Sequence, residues 1–305
     1  MMRSLRFLRP VDALVIAFAL LLCVITLVAV HNVTDCLLLL AANLLSCIGI
    51  IYVARGEETN AVARAIHHWY PVPAIFLVFK EMYVIIQSLQ RPDWDGVLIA
   101  ADRAIFGADP TVWLANISTP WLTEVLQVSY VSYYFIMLAV GVELFVRKDG
   151  ESFSYVLFVV VYGFFLSYLG YLIFPAVGPR FTLHDFGALN MELPGVWLTN
   201  GLRDFINAGE SISGDAANAI AHAQRDAFPS GHAQMTLISM YLAHQFRLRS
   251  RYVLYMCGTL LIISTVYLRY HYIVDVLGGI VFMMLTVWTA PKLFRWWKRL
   301  SEDMH

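Results

Sequence analysis

Two stretches near the C-terminal end decide the architecture of this chain: FPSGHAQMTLISMYLAHQF at residues 228–246 and RYHYIVDVLGGIVFMMLTVWTA at residues 269–290. In each, a short polar segment leads into an apolar run, so both are expected where a loop meets a hydrophobic helix. His271 and Asp275 are four residues apart and would share one face of a helix. The carboxylate could then take the imidazole Nδ1–H and leave Nε2 as an outward lone pair. In a nucleophilic site, His271 would be the base and Asp275 the residue that orients it.

The first stretch predicts an anion site beside a proton donor. Pro229 suits a turn, Gly231 permits close approach to the backbone, and the N–H groups after Ser230 open a helix. Free N–H groups at a helix N-terminus bind phosphate, and His232 stands next to them as a candidate general acid. Together the two stretches predict phosphoryl transfer through a phosphohistidine.

The composition is that of a polytopic membrane protein. The chain has 305 residues, of which 59% are hydrophobic and only 14% are charged, whereas a soluble domain carries about 25% charged residues. The mean hydropathy is +0.65. A net charge of −1 gives no support to nucleic-acid binding. The four cysteines are scattered in or beside apolar runs, without the spacing of a disulfide set or a zinc site.

Hydropathy predicts eight membrane-spanning helices, for which roughly 20 apolar residues are needed to cross a bilayer. They are Val11–Val30, Cys36–Ala54, Pro71–Leu89, Trp121–Val146, Phe153–Phe174, His232–Phe246, Tyr252–Leu268 and Tyr272–Ala290. The first run is longer than the apolar part of a usual signal peptide, so it is predicted to be a retained span. The fold class is therefore an all-α polytopic membrane protein.

The organisation along the chain predicts two parts. Residues 1–69 would form an N-terminal two-helix membrane segment, and residues 70–305 a catalytic membrane bundle. Residues 175–231 would include an outer-face loop, whose part Phe181–Ala227 is too long for a plain connector and favours a lid or a headgroup-recognition element. The segment Asp102–Asn116 is predicted to be an outer amphipathic helix lying on the membrane.

The basic residues fix the predicted orientation. With the N-terminus inside, the inner segments hold most of the 21 lysines and arginines, as the positive-inside rule requires. Both termini are then cytoplasmic. Arg180, His232 and His271 all fall on the outer side, which would be periplasmic, extracellular or lumenal. His67 and the remaining histidines have no matched partner in the sequence and are expected to be structural.

The motifs resemble those of the type-2 phosphatidic acid phosphatase superfamily, a group of integral membrane lipid phosphatases and phosphotransferases. The segment Pro229–His232 is similar to its second motif and Ser264–Asp275 to its third. The segments Asp102–Pro110 and Phe174–Arg180 resemble the branch of inositol phosphorylceramide and sphingomyelin synthases. This resemblance implies that six of the eight spans form the phosphatase-type bundle.

The resemblance also implies roles for individual residues. His271 would be the nucleophile, Asp275 its partner, and His232 the acid that protonates the leaving alkoxide. Ser230 and the Gly231 N–H would hold phosphate oxygens.

The phosphate clamp departs from the family pattern. The usual first motif has a lysine and an Arg-Pro pair just before the second motif, and here only Pro179-Arg180 remains. Arg180 would therefore stand in for that motif. Thr265 occupies the place of a usual arginine in the third motif, so either Arg269 supplies the missing charge or the site binds phosphate with fewer cations.

Lys80 and Glu81 are charges near the middle of a predicted span, where charged residues usually face a cavity or a partner. Because they are adjacent, their side chains diverge on a helix. Lys80 is a candidate for a polar headgroup cavity, and a tilted or shifted span is the alternative.

These observations predict an integral membrane lipid phosphatase or phosphotransferase. It would act through a phosphohistidine on a phospholipid or lipid phosphate at the outer membrane face, without a metal ion or another cofactor. One alternative is transfer of a phospho-headgroup to an alcohol acceptor, as in the sphingolipid synthases. A non-catalytic lipid transporter or scaffold is the alternative of another class. The sequence predicts a membrane lipid as substrate, no nucleic acid as partner, and no particular oligomeric state.

Overall fold

The computed structural model describes residues 7–210, 212 and 216–302, and that part of the chain folds into α-helices joined by short turns and loops. The α-helices in chain order are α1 Pro10–Ala29, α2 Val33–Gly56, α3 Ala61–Trp69, α4 Pro71–Leu89, α5 Asp95–Phe106, α6 Pro110–Leu114, α7 Pro120–Val131, α8 Tyr133–Val146, α9 Gly150–Ile173, α10 Pro179–Thr182, α11 Leu189–Glu192, α12 Thr199–Gly209, α13 Ala216–His222, α14 Gly231–Gln245, α15 Arg251–Tyr267 and α16 Ile273–Glu302.

The all-α polytopic membrane fold is confirmed. Within the described residues, five helices are long and apolar enough to cross a membrane: α1, α2, α4, α9 and α16. The pair α7 and α8 counts as a sixth if its bent path is one span. The other two predicted spans are present as α14 and α15, which have 15 and 17 residues. Both are shorter than the roughly 20 residues that cross a bilayer unaided.

The fourth predicted span is not one continuous helix. It breaks at Ser132, and α7 and α8 meet at 45°. The Ser132 hydroxyl donates to the Ser129 carbonyl at 2.6 Å, and this kind of side-chain bond to the helix backbone is a common cause of bending. The break places Tyr130 and Tyr133 on either side of the bend, where both face the site described below.

The predicted amphipathic helix over Asp102–Asn116 is wrong as a single element. Helix α5 ends at Gly107, which has a φ of 72°, and a new helix begins at Pro110. Glycine tolerates this left-handed conformation without the penalty that a Cβ imposes. Proline suits the first turn of the second helix because its missing N–H would have no helical partner there.

Helix α9 is the centre of the bundle. It packs against α1, α4, α8, α14 and α16, and about two thirds of its apolar length is buried (67%). Its sequence is apolar on every side, which is the pattern of a helix surrounded by other helices. The main core contains residues from these same helices, such as Leu22, Ile85, Val140, Val161 and Ile238.

Helix α5 holds two segments in place, the loop before α10 and the start of α16. Asp95 accepts hydrogen bonds from the Val177 and Gly178 N–H groups, both at 2.9 Å. Two turns along the same helix, Asp102 accepts from the first N–H groups of α16, at 3.0 and 2.9 Å. Carboxylates at a helix N-terminus satisfy orphan donors and the helix dipole. Two acidic side chains on one face of α5 therefore hold both segments in place.

Gly178 allows these segments to approach each other. Its φ is 93°, and a Cβ there would lie 2.7 Å from the Tyr270 carbonyl oxygen. Backbone hydrogen bonds then join the loops, with the Arg180 N–H donating to the Arg269 carbonyl at 3.0 Å and the Ser230 N–H donating to the Asp275 carbonyl at 2.9 Å. Segments that are far apart in sequence thus meet at one end of the bundle, called here the histidine end because it holds His232 and His271.

Candidate active site

His271 lies in the link between α15 and α16 and is 4% exposed. Its Nδ1 is 2.9 Å from the Ala227 carbonyl oxygen and 3.4 Å from Asp275 Oδ2. The backbone carbonyl is the nearer acceptor for the Nδ1–H, because His271 precedes the helix, and the predicted partner Asp275 lies within ion-pair distance of the same nitrogen. A carbonyl fixes the tautomer as a carboxylate would, and it leaves Nε2 with the lone pair.

Asp275 has contacts beyond the predicted one. Its side chain is fully buried, and Oδ2 accepts the Tyr272 N–H at 2.8 Å. The other oxygen, Oδ1, has no hydrogen-bond partner among the described residues. Asp275 thus caps the start of α16 while its carboxyl group stays close to the His271 ring.

His232 faces His271 from the first turn of α14. The distance from His271 Nε2 to His232 Nδ1 is 3.5 Å. The His232 ring lies between two tyrosines, with ring centroids 4.6 Å from Tyr130 and 4.3 Å from Tyr133. The structure therefore brings the two predicted catalytic histidines together and holds one of them by aromatic packing, a contribution that the sequence reasoning missed.

Ser230 and Gly231 form a tightly packed helix start. The Ser230 hydroxyl accepts the Ala233 N–H at 3.2 Å, which makes it the N-cap of α14. The Tyr171 hydroxyl lies against Gly231, where any side chain would collide with it. The hydroxyl predicted to hold phosphate is thus used as a cap, and the close approach at Gly231 is made by a tyrosine.

Arg180 reaches the same site with its charge already paired. It forms an ion pair with Glu210 and lies over the rings of Phe181 and Tyr270, 4.7 Å from each centroid. Its Nε has no hydrogen-bond partner among the described residues. Burial alone would disfavour its charge, but the Glu210 carboxylate raises the pKa of Arg180. The arginine therefore stays charged beside the histidines.

Arg269 is directed elsewhere. Its side chain is 2% exposed and pairs with Glu192, and its backbone has a φ of 69°. The residue holds the loop through its carbonyl, which accepts the Arg180 N–H. The structure thus gives Arg269 a partner at the loop surface, and it does not bring this guanidinium against either histidine.

Asp226 is a site residue that the sequence analysis did not single out. With Glu210 and His232 it lines the cavity at the histidine end. Burial, followed by the negative charge of Glu210, raises the pKa of Asp226 to about 6, and the charge of His271 opposes that rise. The sequence signal was present, because Asp226 is a carboxylate six residues before His232 in the same loop.

The protonation of His271 follows from the same surroundings. Burial lowers its pKa to about 4, and the charge of Asp226 and the bond to Ala227 only partly oppose the shift. At neutral pH the ring is therefore uncharged. An uncharged imidazole with its Nδ1–H on a carbonyl presents Nε2 as a nucleophile.

A cavity of about 470 Å³ opens at this site and extends into the bundle between α4, α8 and α9. Lys80 is among its lining residues, and its ammonium donates to the Gly209 carbonyl. Glu81 turns the other way and accepts from the Asn43 amide at 2.6 Å. The two adjacent charges thus diverge, and Lys80 lies on a cavity wall where the prediction placed it.

Nothing in the described part of the chain resembles a metal centre: no group of three or more His, Cys, Asp or Glu side chains is arranged to hold an ion.

Comparison with known proteins adds a family. A model described as the PAP2 superfamily matches residues 97–289, more than half of the chain. A PA-phosphatase related-family protein of Dictyostelium discoideum is 28% identical over 245 residues, which covers 68% of this chain. The chain spans only 41% of that relative's length. No solved structure was found to match.

Proposed function

The chain belongs to the PAP2 superfamily. From that premise we propose that it is a membrane lipid phosphatase in which the phosphoryl group of the substrate is transferred first to His271. The observation that carries the proposal is the 3.5 Å approach of His271 Nε2 to Nδ1 of His232, a residue that lines the cavity. One nitrogen is a nucleophile fixed by the Ala227 carbonyl, and the facing ring can move a proton.

In the first half-reaction, the Nε2 lone pair attacks the phosphorus of a lipid phosphate. The N–P bond forms while the P–O bond to the lipid breaks, and the leaving alkoxide takes a proton from His232. The Ala227 carbonyl and the nearby Asp226 carboxylate stabilise the positive charge that His271 gains. Arg180 acts electrostatically on both histidines, and it would share its charge between Glu210 and the phosphoryl oxygens.

In the second half-reaction, water attacks the phosphohistidine. His232 takes the proton from that water, the N–P bond breaks, and inorganic phosphate leaves with His271 returned to its neutral form. Both residues thus end the cycle as they began it.

Transfer to an alcohol is a second candidate function, and one observation favours it. Glu210 and Asp226 place two carboxylates beside His232 at the cavity mouth. Carboxylates repel a free phosphate dianion but accept hydrogen bonds from hydroxyl groups. They would therefore suit an alcohol acceptor such as a polyol better than they suit a second phosphate.

The test is phosphate release from phosphatidic acid by detergent-purified protein, with and without inositol, and with His271→Ala in parallel. We expect phosphate release that the variant loses and a phosphoenzyme that is labile to acid and stable to alkali, as phosphohistidine is. Inositol phosphate formed from phosphatidic acid with little free phosphate, or a phosphodiester formed from a phospholipid donor, would assign the transferase reaction instead. Turnover that survives in His271→Ala would refute the mechanism, and no turnover of any lipid would favour a transporter or scaffold.

A further inference from the structure

The cavity runs along the whole of α9. The residues of α9 that line it recur every three or four positions, from Phe153 near the start of the helix to Tyr171 near its end. At 1.5 Å per residue, this stripe is roughly 27 Å long. The hydrocarbon core of a bilayer is roughly 30 Å thick, so that one leaflet contributes roughly 15 Å. The cavity therefore extends well beyond the depth of one leaflet.

The two ends of the cavity differ in chemistry. At the histidine end the lining is polar, with His232, Asp226, Glu210 and Lys80 among its residues. Toward the opposite end, called here the far end, the lining is apolar: Trp69, Val72, Gly141, Phe153, Val156 and Leu157. A lipid has a polar head and an apolar tail. The polar histidine end of the cavity matches the head, and the apolar far end matches the tail.

Aromatic rings mark the far end. Trp69 and Phe153 line the cavity there, and these two rings and Phe145 lie within 5.4 to 5.5 Å of one another, centroid to centroid, in edge-to-face contacts. Edge-to-face packing of this kind is a favourable arrangement for aromatic rings. The lining of the cavity ends at these rings, and the elongated cavity is called here the slot.

The slot opens sideways between α4 and α8. Each of these helices packs on α9, and they meet at the rings of Phe76 and Tyr134, 6.1 Å apart. Two lining residues on this side, Phe76 and Leu138, are 48% and 40% exposed. Because this surface of the bundle would face lipid, a hydrocarbon tail can pass into the slot without leaving an apolar surrounding.

We propose that the slot holds the hydrocarbon tail of the substrate, and that it selects lipids carrying one tail longer than a single leaflet. The inference rests on the proposed function for the position of the phosphate beside His271. A volume of about 470 Å³ spread over roughly 27 Å is elongated, which suits an extended hydrocarbon chain. A short tail would leave the apolar far end without packing partners, and a long tail would fill it.

Gly141 offers a direct test. It lines the slot toward the far end, and a Cβ there would make only an ordinary contact, 3.8 Å from the Phe153 ring. Gly141→Phe would therefore fill the far end with a benzyl group. Gly49→Phe is the matched control, because Gly49 lies in the middle of an apolar helix with nothing within 4 Å of its Cβ position.

The readout is the ratio of kcat/KM for docosyl phosphate to kcat/KM for dodecyl phosphate in mixed micelles. A dodecyl tail reaches about one leaflet, and a docosyl tail most of the slot. We expect wild type and Gly49→Phe to prefer the docosyl ester and Gly141→Phe to lower the ratio about tenfold, which corresponds to roughly 1.4 kcal/mol of lost packing. Equal ratios in all three proteins would overturn the inference and assign the slot to bulk membrane lipid.

A binding measurement separates this inference from the proposed function. Competition of the two esters for the inactive His271→Ala protein, followed by native mass spectrometry, needs no turnover. We expect docosyl phosphate to displace dodecyl phosphate, and Gly141→Phe in the same background to remove that preference. If no lipid is turned over, the proposed function fails while the binding result still decides the slot. Leu157→Phe provides a second obstruction of the far end should Gly141→Phe not fold.

Discussion

His67 and His271 are both buried histidines with a carboxylate beside them, and they are held in opposite ways. His67 uses both ring nitrogens: Nε2 is 2.9 Å from Asp12 Oδ2, and Nδ1 bonds the Glu57 carboxylate. His271 uses only Nδ1, on the Ala227 carbonyl, and its Nε2 faces another histidine. The number of satisfied nitrogens, and not burial, separates a histidine that fastens helices from one that can react.

The two surroundings also shift the pKa of the histidine ring in opposite directions. Burial disfavours the charged form of His67, but the hydrogen bond and charge of Asp12, followed by Glu57, raise its pKa. Burial lowers the pKa of His271 to about 4, because only a neutral carbonyl bonds its Nδ1. The same side chain is thus shifted toward its charged form in one place and toward its neutral form in the other.

Removing each imidazole ring in turn is the most direct test of this comparison. His271→Ala should lower kcat by on the order of 10⁴-fold or more, because it removes the nucleophile, and should leave a folded protein. His67→Ala should retain catalysis when folded but lose about 1 to 3 kcal/mol of stability, because the buried Asp12 carboxylate loses one of its hydrogen-bond partners. Turnover and thermal midpoint, measured on both variants, separate the outcomes. Loss of kcat in a folded His67→Ala would contradict the structural role.

Removing His232 should have the next largest effect. His232→Ala should lower kcat by about 10²- to 10⁴-fold, the usual range for a general acid. The loss should shrink with a nitrophenyl phosphate ester, because nitrophenolate leaves without being protonated. His271→Ala should show no such recovery. Equal losses of His232→Ala with alkyl and nitrophenyl esters would contradict the role of proton donor.

The pH profile tests the charge assigned to His271. With a pKa of about 4, the His271 ring is uncharged at neutral pH and its Nε2 lone pair is free to react. The value of kcat/KM should therefore fall only well below pH 6.5, the ordinary pKa of histidine. Asp226 raises the pKa of His271, so Asp226→Asn should move the acid limb to still lower pH. An acid limb near the ordinary histidine value, unmoved by Asp226→Asn, would show that the ring is not held neutral.

The pH dependence of stability tests the charge assigned to His67. Its pKa is raised in the folded protein, so its contribution is fully present below the unfolded value, about 6.5, and is lost as pH rises through the folded value. The thermal midpoint of the wild type should therefore decline on the alkaline side of that range, and His67→Gln should flatten this decline. Parallel declines in both proteins would assign the effect to other groups.

The sequence predicts the side chains of the site better than it predicts their partners. His232 and His271 meet as expected because both stand where loops enter apolar helices at one end of the bundle. The Ala227 carbonyl that orients His271 has no sequence signature, because every residue supplies one. The pairing of Arg180 with Glu210 depends on how loop helices fold back, and hydropathy carries no information about that.

The same limit applies to the fold. Apolar runs predict helices wherever the pattern is continuous, as in α9. The break at Ser132 lies within a run that hydropathy reads as unbroken, and the turn at Gly107 lies within the segment predicted to be one amphipathic helix. Each is decided by one local feature, a hydroxyl bond in the first case and a positive φ in the second.

The smallest predicted effect concerns Ser230 and separates a cap from a phosphate ligand. As the N-cap of α14, it should cost about 1 kcal/mol when changed to alanine and only a few tenths of that when changed to glycine. In neither variant should kcat/KM fall by more than a few-fold, because the hydroxyl bonds the backbone and not the substrate. If it did hold a phosphoryl oxygen in the transition state, both variants would lose activity on the order of 10²-fold. Ser230→Gly, which nearly preserves the cap but removes the hydroxyl, is therefore the decisive variant of the two.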